Sequence, residues 1–210
     1  MTTLEETAEA VAETYRLLGE HNLSFGGSGN VSCRTATGML ITRSGVTVDR
    51  CESPDIVATD HTGRSLGNGK PSSECFMHAD IYAAYPQARA VIHAHSDACT
   101  ALACLGEGLP AFHYMVVGFG GADVRCAPYT TFGTPELGRL AVAALRDRSA
   151  CLLANHGMIC YGSSLREAFM RAQRLEALAR QYLLARSAGS PRILTDEEIA
   201  AAMKRYETYG

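Results

Sequence analysis

Ala90-Val91-Ile92-His93-Ala94-His95 is an apolar run of strand length that closes on two imidazoles one residue apart. A second such run, Cys151-Leu152-Leu153-Ala154, leads directly into Asn155-His156-Gly157. Short runs that are apolar on both faces read as strands buried between layers. Helical patterns flank the first run. Upstream, Pro71-Ser72-Ser73-Glu74 has the composition of a helix start, and the pattern continues to about Tyr85 before Pro86. Downstream, Asp97–Leu105 reads as a helix.

Further out, Leu4, Ala8, Val11, Tyr15 and Leu18 recur at helical spacing, with charges on the opposite face. The glycines of Gly26-Gly27-Ser28-Gly29-Asn30 break that helix. Val31–Arg34 and Met39–Thr42 then read as a strand pair around Thr37-Gly38, and Ile56–Thr59 as an extended segment. Met115-Val116-Val117 is a further strand candidate. Thr134-Pro135 places an N-cap before a proline at the first helical position of a helix to about Arg146. Ser164–Glu167 and Thr195–Glu198 are capping-box patterns opening the last two helices. Repeats, low-complexity tracts and linkers are absent. The mixed order predicts an α/β fold: one domain over residues 1–210, with a central, mostly antiparallel sheet flanked by helices.

Composition supports a packed core. The chain has 210 residues, 47% hydrophobic and 20% charged, which excludes wholesale disorder. A net charge of −3 gives no general attraction to nucleic acid. Met1–Glu6 lacks the basic start and apolar run of a secretory signal, and no stretch approaches the roughly 18 apolar residues of a membrane span. The expectation is a cytoplasmic protein with neither membrane nor nucleic acid as partner. The eight cysteines include no C-x-x-C pair, so they read as small reduced core residues.

Three features carry chemistry. Residues two apart in a strand share a face, so His93 and His95 emerge together at a spacing suited to one metal ion. Two unrelated histidines would give the same pattern. His156, at a strand end beside a glycine, can complete a three-histidine set with an open position, the arrangement of a catalytic metal. It can equally be a turn histidine. Glu74 follows two serines at a helix start, where unpaired N–H groups and the helix dipole suit a phosphate. There it reads as a general base or as an ordinary first-turn glutamate. The loops Gly26–Asn30 and Thr42-Arg43-Ser44-Gly45 are candidate phosphate cradles, because glycine lets backbone approach an anion closely.

Together these motifs resemble the class II aldolase/adducin family. Gly29-Asn30-Val31-Ser32, Pro71-Ser72-Ser73-Glu74, His93-Ala94-His95, His113-Tyr114-Met115, Cys126-Ala127-Pro128-Tyr129, Thr131-Phe132-Gly133-Thr134 and His156-Gly157 carry the resemblance over nearly the whole chain. It implies that His93, His95 and His156 bind Zn²⁺, with Mn²⁺ or Co²⁺ as alternatives. Glu74 would take the fourth position at rest and act as the base once substrate binds. It implies phosphate binding by Asn30, Ser44, Gly45, Ser72 and Ser73, proton transfer at the aldehyde oxygen by Tyr114, and an aldehyde end near Phe132 and Tyr209. It also implies a homotetramer with sites between subunits, Tyr114 reaching a neighbour's site. The implied reaction is reversible cleavage of a ketose 1-phosphate of the L-fuculose 1-phosphate type into dihydroxyacetone phosphate and a small aldehyde such as lactaldehyde. The alternatives are 5-deoxyribulose or 5-methylthioribulose 1-phosphate as substrate, or decarboxylation of a 3-oxo-tetronate 4-phosphate. Adducin-like members of the family lack the metal, but here all three histidines and the glutamate are present.

Overall fold

The structure is a computed structural model and describes residues 3–206 and 208. Its strands are β1 (Asn30–Arg34), β2 (Gly38–Thr42), β3 (Ile56–Asp60), β4 (Ala90–Ala94), β5 (Cys126–Ala127), β6 (Ala150–Leu153) and β7 (Gly157–Gly162). They form one sheet in the order β3-β2-β1-β4-β7-β6-β5. Every pairing is antiparallel except that of β5 with β6. The α/β architecture with a mostly antiparallel central sheet is therefore as the sequence predicts.

Helices cover both faces of the sheet. On one lie α1 (Leu4–Glu20), α3 (Asp97–Cys104) and α5 (Leu165–Ala188), packed on Val31, Ala90, Ile92, Ala94, Leu152, Met158 and Cys160. On the other lie α2 (Cys75–Ala84) and α4 (Pro135–Ala144), packed on Met39, Ile41, Val91, Cys151, Leu153 and Ile159. The alternation along β4 divides the two cores, with Ala90, Ile92 and Ala94 on one side and Val91 and His93 on the other. Helix α5 turns Ala168, Ala172 and Ala179 to the sheet beside Leu175 and Leu178. Alanines at the contact let a long helix lie close without leaving voids. Helix α6 (Asp196–Tyr206) sits off the sheet, its Ile199 packed on Ala111 and Val117.

Local signals hold in most places. Thr195 and Glu198 form a reciprocal capping box at the start of α6. Ser164 caps the Glu167 N–H of α5, although the Glu167 carboxylate reaches back to Ser163 rather than to Ser164. All eight cysteines are free, five of them buried.

Met115-Val116-Val117 is not a strand. It lies within a 3₁₀ segment, Tyr114–Phe119, opened by the His113 imidazole accepting the Met115 N–H and closed by Gly120 in the left-handed region. Val116 and Phe119 are both fully buried. Their three-residue spacing is that of a 3₁₀ turn, in which i and i+3 eclipse, and not of a strand. Among the described residues, no helix is long and apolar enough to cross a membrane.

Candidate metal centre

The centre of the sheet supplies the site. His93 is the fourth residue of β4, on the α2 side, and pairs across the ladder with Asn30 at the start of β1. His95 stands one residue past the strand end. His156 sits in the turn between β6 and β7, which is closed by Asn155 in the left-handed conformation, φ 54°. At Gly157 a Cβ would lie 2.5 Å from the Ala94 carbonyl oxygen, so a glycine lets this turn press against the end of β4. The three imidazoles converge, with ring centroids 4.7, 4.7 and 4.9 Å apart and every pair edge-on. Their ligand atoms all lie within 4.8 Å of one another.

Glu74 is the N-cap residue of α2 and closes the set from the fourth side. Its Oε2 is 3.2 Å from His93 Nε2 and its Oε1 3.3 Å from His156 Nε2. Oε1 is buried without a hydrogen-bond partner. A buried carboxylate oxygen cannot stay unpaired cheaply, and here its recorded neighbour is the His156 Nε2 at 3.3 Å. This donor set fits a divalent cation. His93 Nδ1–H donates to the Met158 carbonyl at 2.8 Å, which leaves Nε2 bare and available to a cation. His93 and His95 Nε2 atoms approach to 2.8 Å, as two nitrogens aimed at one shared ion do.

Electrostatics agree. Burial pushes His95 down to about 3 and His156 down to about 4, with the neighbouring His93 adding to both shifts, so both rings are neutral at physiological pH, the form that can bind a metal. Burial opposes the Glu74 charge, yet His93 and His156 outweigh it and hold the carboxyl well below its usual range. Burial would also lower His93, but the Glu74 carboxylate turns that shift upward. The pair thus calls for one positive charge between carboxylate and imidazoles, the charge that a cation supplies.

Above the cluster is a cavity of about 310 Å³. His95, His156 and Glu74 form its floor, and its walls include Asn30, Ser44, Gly45, Ser72, Ser73 and Phe132. Two loops are held rigidly for this. The Ser44 N–H donates to the Lys70 carbonyl and the Ser72 N–H to that of Thr42. Tyr15, buried in α1, reaches the carbonyls of both Ser28 and Val46. Gly29 has φ +73°, and a Cβ there would meet the His93 carbonyl oxygen at 2.7 Å. Asn30 donates from Nδ2 to Glu74 Oε2 at 3.0 Å, which leaves its second N–H for a ligand.

Most residues that the sequence singles out are therefore neighbours. Two are not placed in the cavity. Tyr114 is 55% exposed and is not among the lining residues. Tyr209 lies outside the described residues. The cavity adds Gly27, Ser28 and Arg43 from the two predicted loops. Sequence reading missed His78 behind Glu74. The signal was the four-residue step from Glu74 to His78 to Tyr82, a polar stripe on a helix whose remaining side chains, Asp80 apart, are apolar.

Residues 9–183 match the family described as Class II Aldolase and Adducin N-terminal domain. The chain belongs to this family. Its relatives include the 5-methylthioribulose-1-phosphate/5-deoxyribulose-1-phosphate aldolase of Rhodospirillum rubrum, 46% identical over 90% of this chain and 85% of that one. The L-fuculose phosphate aldolase of Escherichia coli is 39% identical over 97% of this chain and 95% of that one. A solved L-fuculose 1-phosphate aldolase superposes with TM-score 0.93 at 37% identity, covering 99% and 98% of the two chains. The protein is a class II aldolase, a lyase. Enzymes of this class are metal-dependent, and the three imidazoles of this class II aldolase can hold such an ion.

Proposed function

We propose that this aldolase reversibly cleaves a ketose 1-phosphate with an apolar far end into dihydroxyacetone phosphate and a small aldehyde. The class comprises 5-deoxyribulose, 5-methylthioribulose and L-fuculose 1-phosphates. The observation that carries the reading is the placement of Glu74. It is a buried, ionised carboxylate on the floor of a cavity walled by two glycine-serine loops and a helix start. The relatives' names support a phosphorylated ketose, and the 46% identical one favours the ribulose members.

His93, His95 and His156 would hold a divalent ion, proposed as Zn²⁺ because three imidazoles suit a borderline-soft cation, and when bound it would supply Lewis-acid stabilisation of negative charge developing on the substrate oxygens. The chain does the rest. Ser44, Gly45, Ser72 and Ser73, with the free N–H of Asn30, grip the phosphate. In synthesis, the Glu74 carboxylate takes the C3 proton of dihydroxyacetone phosphate, C3 bonds to the aldehyde carbon, and the Tyr114 hydroxyl gives its proton to the aldehyde oxygen; exchange with solvent then returns Glu74 to the carboxylate and Tyr114 to the phenol. Cleavage runs the same steps in reverse, from protonated Glu74 and the Tyr114 phenolate, the C3–C4 electron pair remaining on the phosphate-bearing half. Phe132 and Tyr209 border the aldehyde. We further propose a homotetramer in which Tyr114 serves a neighbouring subunit, working in the cytoplasm. Its exposure, with that of Phe132 and Tyr129, supports a partner surface.

The test is a panel of ketose 1-phosphates assayed for dihydroxyacetone phosphate release, with the unphosphorylated sugars beside them. Cleavage of the phosphorylated sugars alone is expected, because a doubly charged group gains most from these donors. Equal efficiency on L-fuculose and its 1-phosphate overturns the phosphate assignment. Carbon dioxide from a 3-oxo-tetronate 4-phosphate, with no cleavage of any ketose 1-phosphate, overturns the reaction.

A further inference from the structure

Beneath the cavity a column of buried polar side chains runs away from Glu74. Helix α2 carries Glu74, His78 and Tyr82 at four-residue steps, and β1 carries Asn30, Ser32 and Arg34 at two-residue steps. Four helical residues rise about 6 Å and two strand residues about 6.6 Å, so the two series stay in register. Asn30 bridges Glu74 and His78, at 3.0 and 2.6 Å. Ser32 bridges His78 and Tyr82, at 2.7 and 2.8 Å. The Arg34 guanidinium closes the column, 4.7 Å over the Tyr82 ring. His78 and Ser32 are fully buried.

One direction of donation satisfies the whole chain. A carboxylate only accepts, so Asn30 must turn its N–H₂ to Glu74 and its carbonyl to His78. That carbonyl only accepts, so His78 carries its proton on Nε2. The bare Nδ1 then accepts from the Ser32 hydroxyl, whose oxygen accepts from Tyr82. A side-chain amide in the middle passes no proton under ordinary conditions, so the column orients and does not relay.

We propose that His78 is a positioning residue for the aldolase reaction: its Nε2–H pins the Asn30 amide in the orientation that donates to Glu74. Without that donor the amide is free to flip and present its carbonyl to the carboxylate, which repels it. The inference rests on Glu74 being the base proposed above.

The test compares His78→Gln with His78→Met. The two side chains are nearly isosteric, but only glutamine offers an N–H to Asn30 Oδ1. One readout is exchange of the C3 proton of dihydroxyacetone phosphate into deuterated water, as kcat and KM. The other is Zn²⁺ affinity by competition with a chromophoric chelator, which needs no turnover. Methionine is expected to lower exchange kcat or Zn²⁺ affinity by about 10–100-fold, the usual loss when a supporting hydrogen bond behind a metal site is removed. KM is expected to rise beside it in the methionine variant, because the same flip withdraws the Asn30 N–H from the phosphate, and glutamine to stay within about threefold of wild type throughout. Equal losses in the two variants mean packing alone and overturn the proposal, as does a folded methionine variant with wild-type values. Should methionine prevent folding, Ser32→Ala keeps the ring and removes the hydroxyl that holds Nδ1 as an acceptor, along with that hydroxyl's bond to Tyr82; unchanged exchange and affinity there overturn the proposal too. Wild-type protein that binds Zn²⁺ but exchanges no proton, with the glutamine–methionine split in affinity intact, refutes the proposed reaction and leaves the positioning role standing. Wild-type protein that binds no Zn²⁺ overturns both.

Discussion

In the roles proposed for it, Glu74 faces two demands at once, and the chemistry of one residue separates them. As a ligand it needs only a lone pair aimed at the imidazoles. As a base it needs a carboxylate that accepts a proton. Glutamine keeps the shape and the carbonyl oxygen but not the basicity, so Glu74→Gln is expected to retain one bound divalent ion per chain. C3 proton exchange should fall by about 10²–10⁴-fold, the usual span for a general base. His95→Ala is the contrasting change: it removes one of three imidazoles and should lose the metal itself. Metal analysis beside the deuterium-exchange assay distinguishes the two. Full metal in the His95 variant would remove that ring from the ligand set, and wild-type exchange in the Glu74 variant would move the base elsewhere.

At the scale of elements, strand β4 and helix α2 place nearly everything. Both were legible in the sequence, because apolar runs bounded by glycine and proline leave little choice, and because H-x-H puts two rings on one face. The Gly26–Asn30 and Arg43–Gly45 loops were legible as glycine punctuation. The 3₁₀ segment after His113 was not, since Met115-Val116-Val117 has strand composition and only the burial of Val116 with Phe119 reveals the three-residue repeat. His78 was hidden for a related reason: its partners lie in β1, more than forty residues away in sequence. Its burial leaves a measurable trace. Desolvation pushes the ring from 6.5 down to about 3, so between those values the unfolded chain binds a proton that the folded chain refuses. Stability must then rise with pH across that window, by on the order of 1 kcal/mol per pH unit from this group. His78→Gln removes the titration while the other histidines remain common to both proteins. Urea melts of the two from about pH 4.5 to 7 should show wild type losing ground to the variant only below about pH 6.5. Parallel curves would mean that the ring is protonated in the folded state.

Across the whole molecule the cavity has a well-built end and an open end. The proposed phosphate loops and the three clustered histidines come from one chain and are tied together by Tyr15, the β2–α2 backbone bonds and the Asn30–Glu74 contact. The far end has Phe132, 66% exposed, and no described acid group from the same chain among the lining residues beyond Glu74. Tyr114 stands exposed elsewhere on the surface. A closed ring of subunits would bring the tyrosine of one protomer to the glutamate of the next, and mixing two inactive proteins tests this. Glu74→Gln chains carry an intact Tyr114, and Tyr114→Phe chains carry an intact Glu74. Unfolded together and refolded at equal concentrations, they should recover about one quarter of wild-type turnover, since a shared site needs one particular chain on each side of an interface. A site completed within a single chain recovers nothing, because every chain then lacks one of its two groups. Activity no higher than the sum of the separately refolded variants would therefore return Tyr114 to its own subunit or remove it from the reaction.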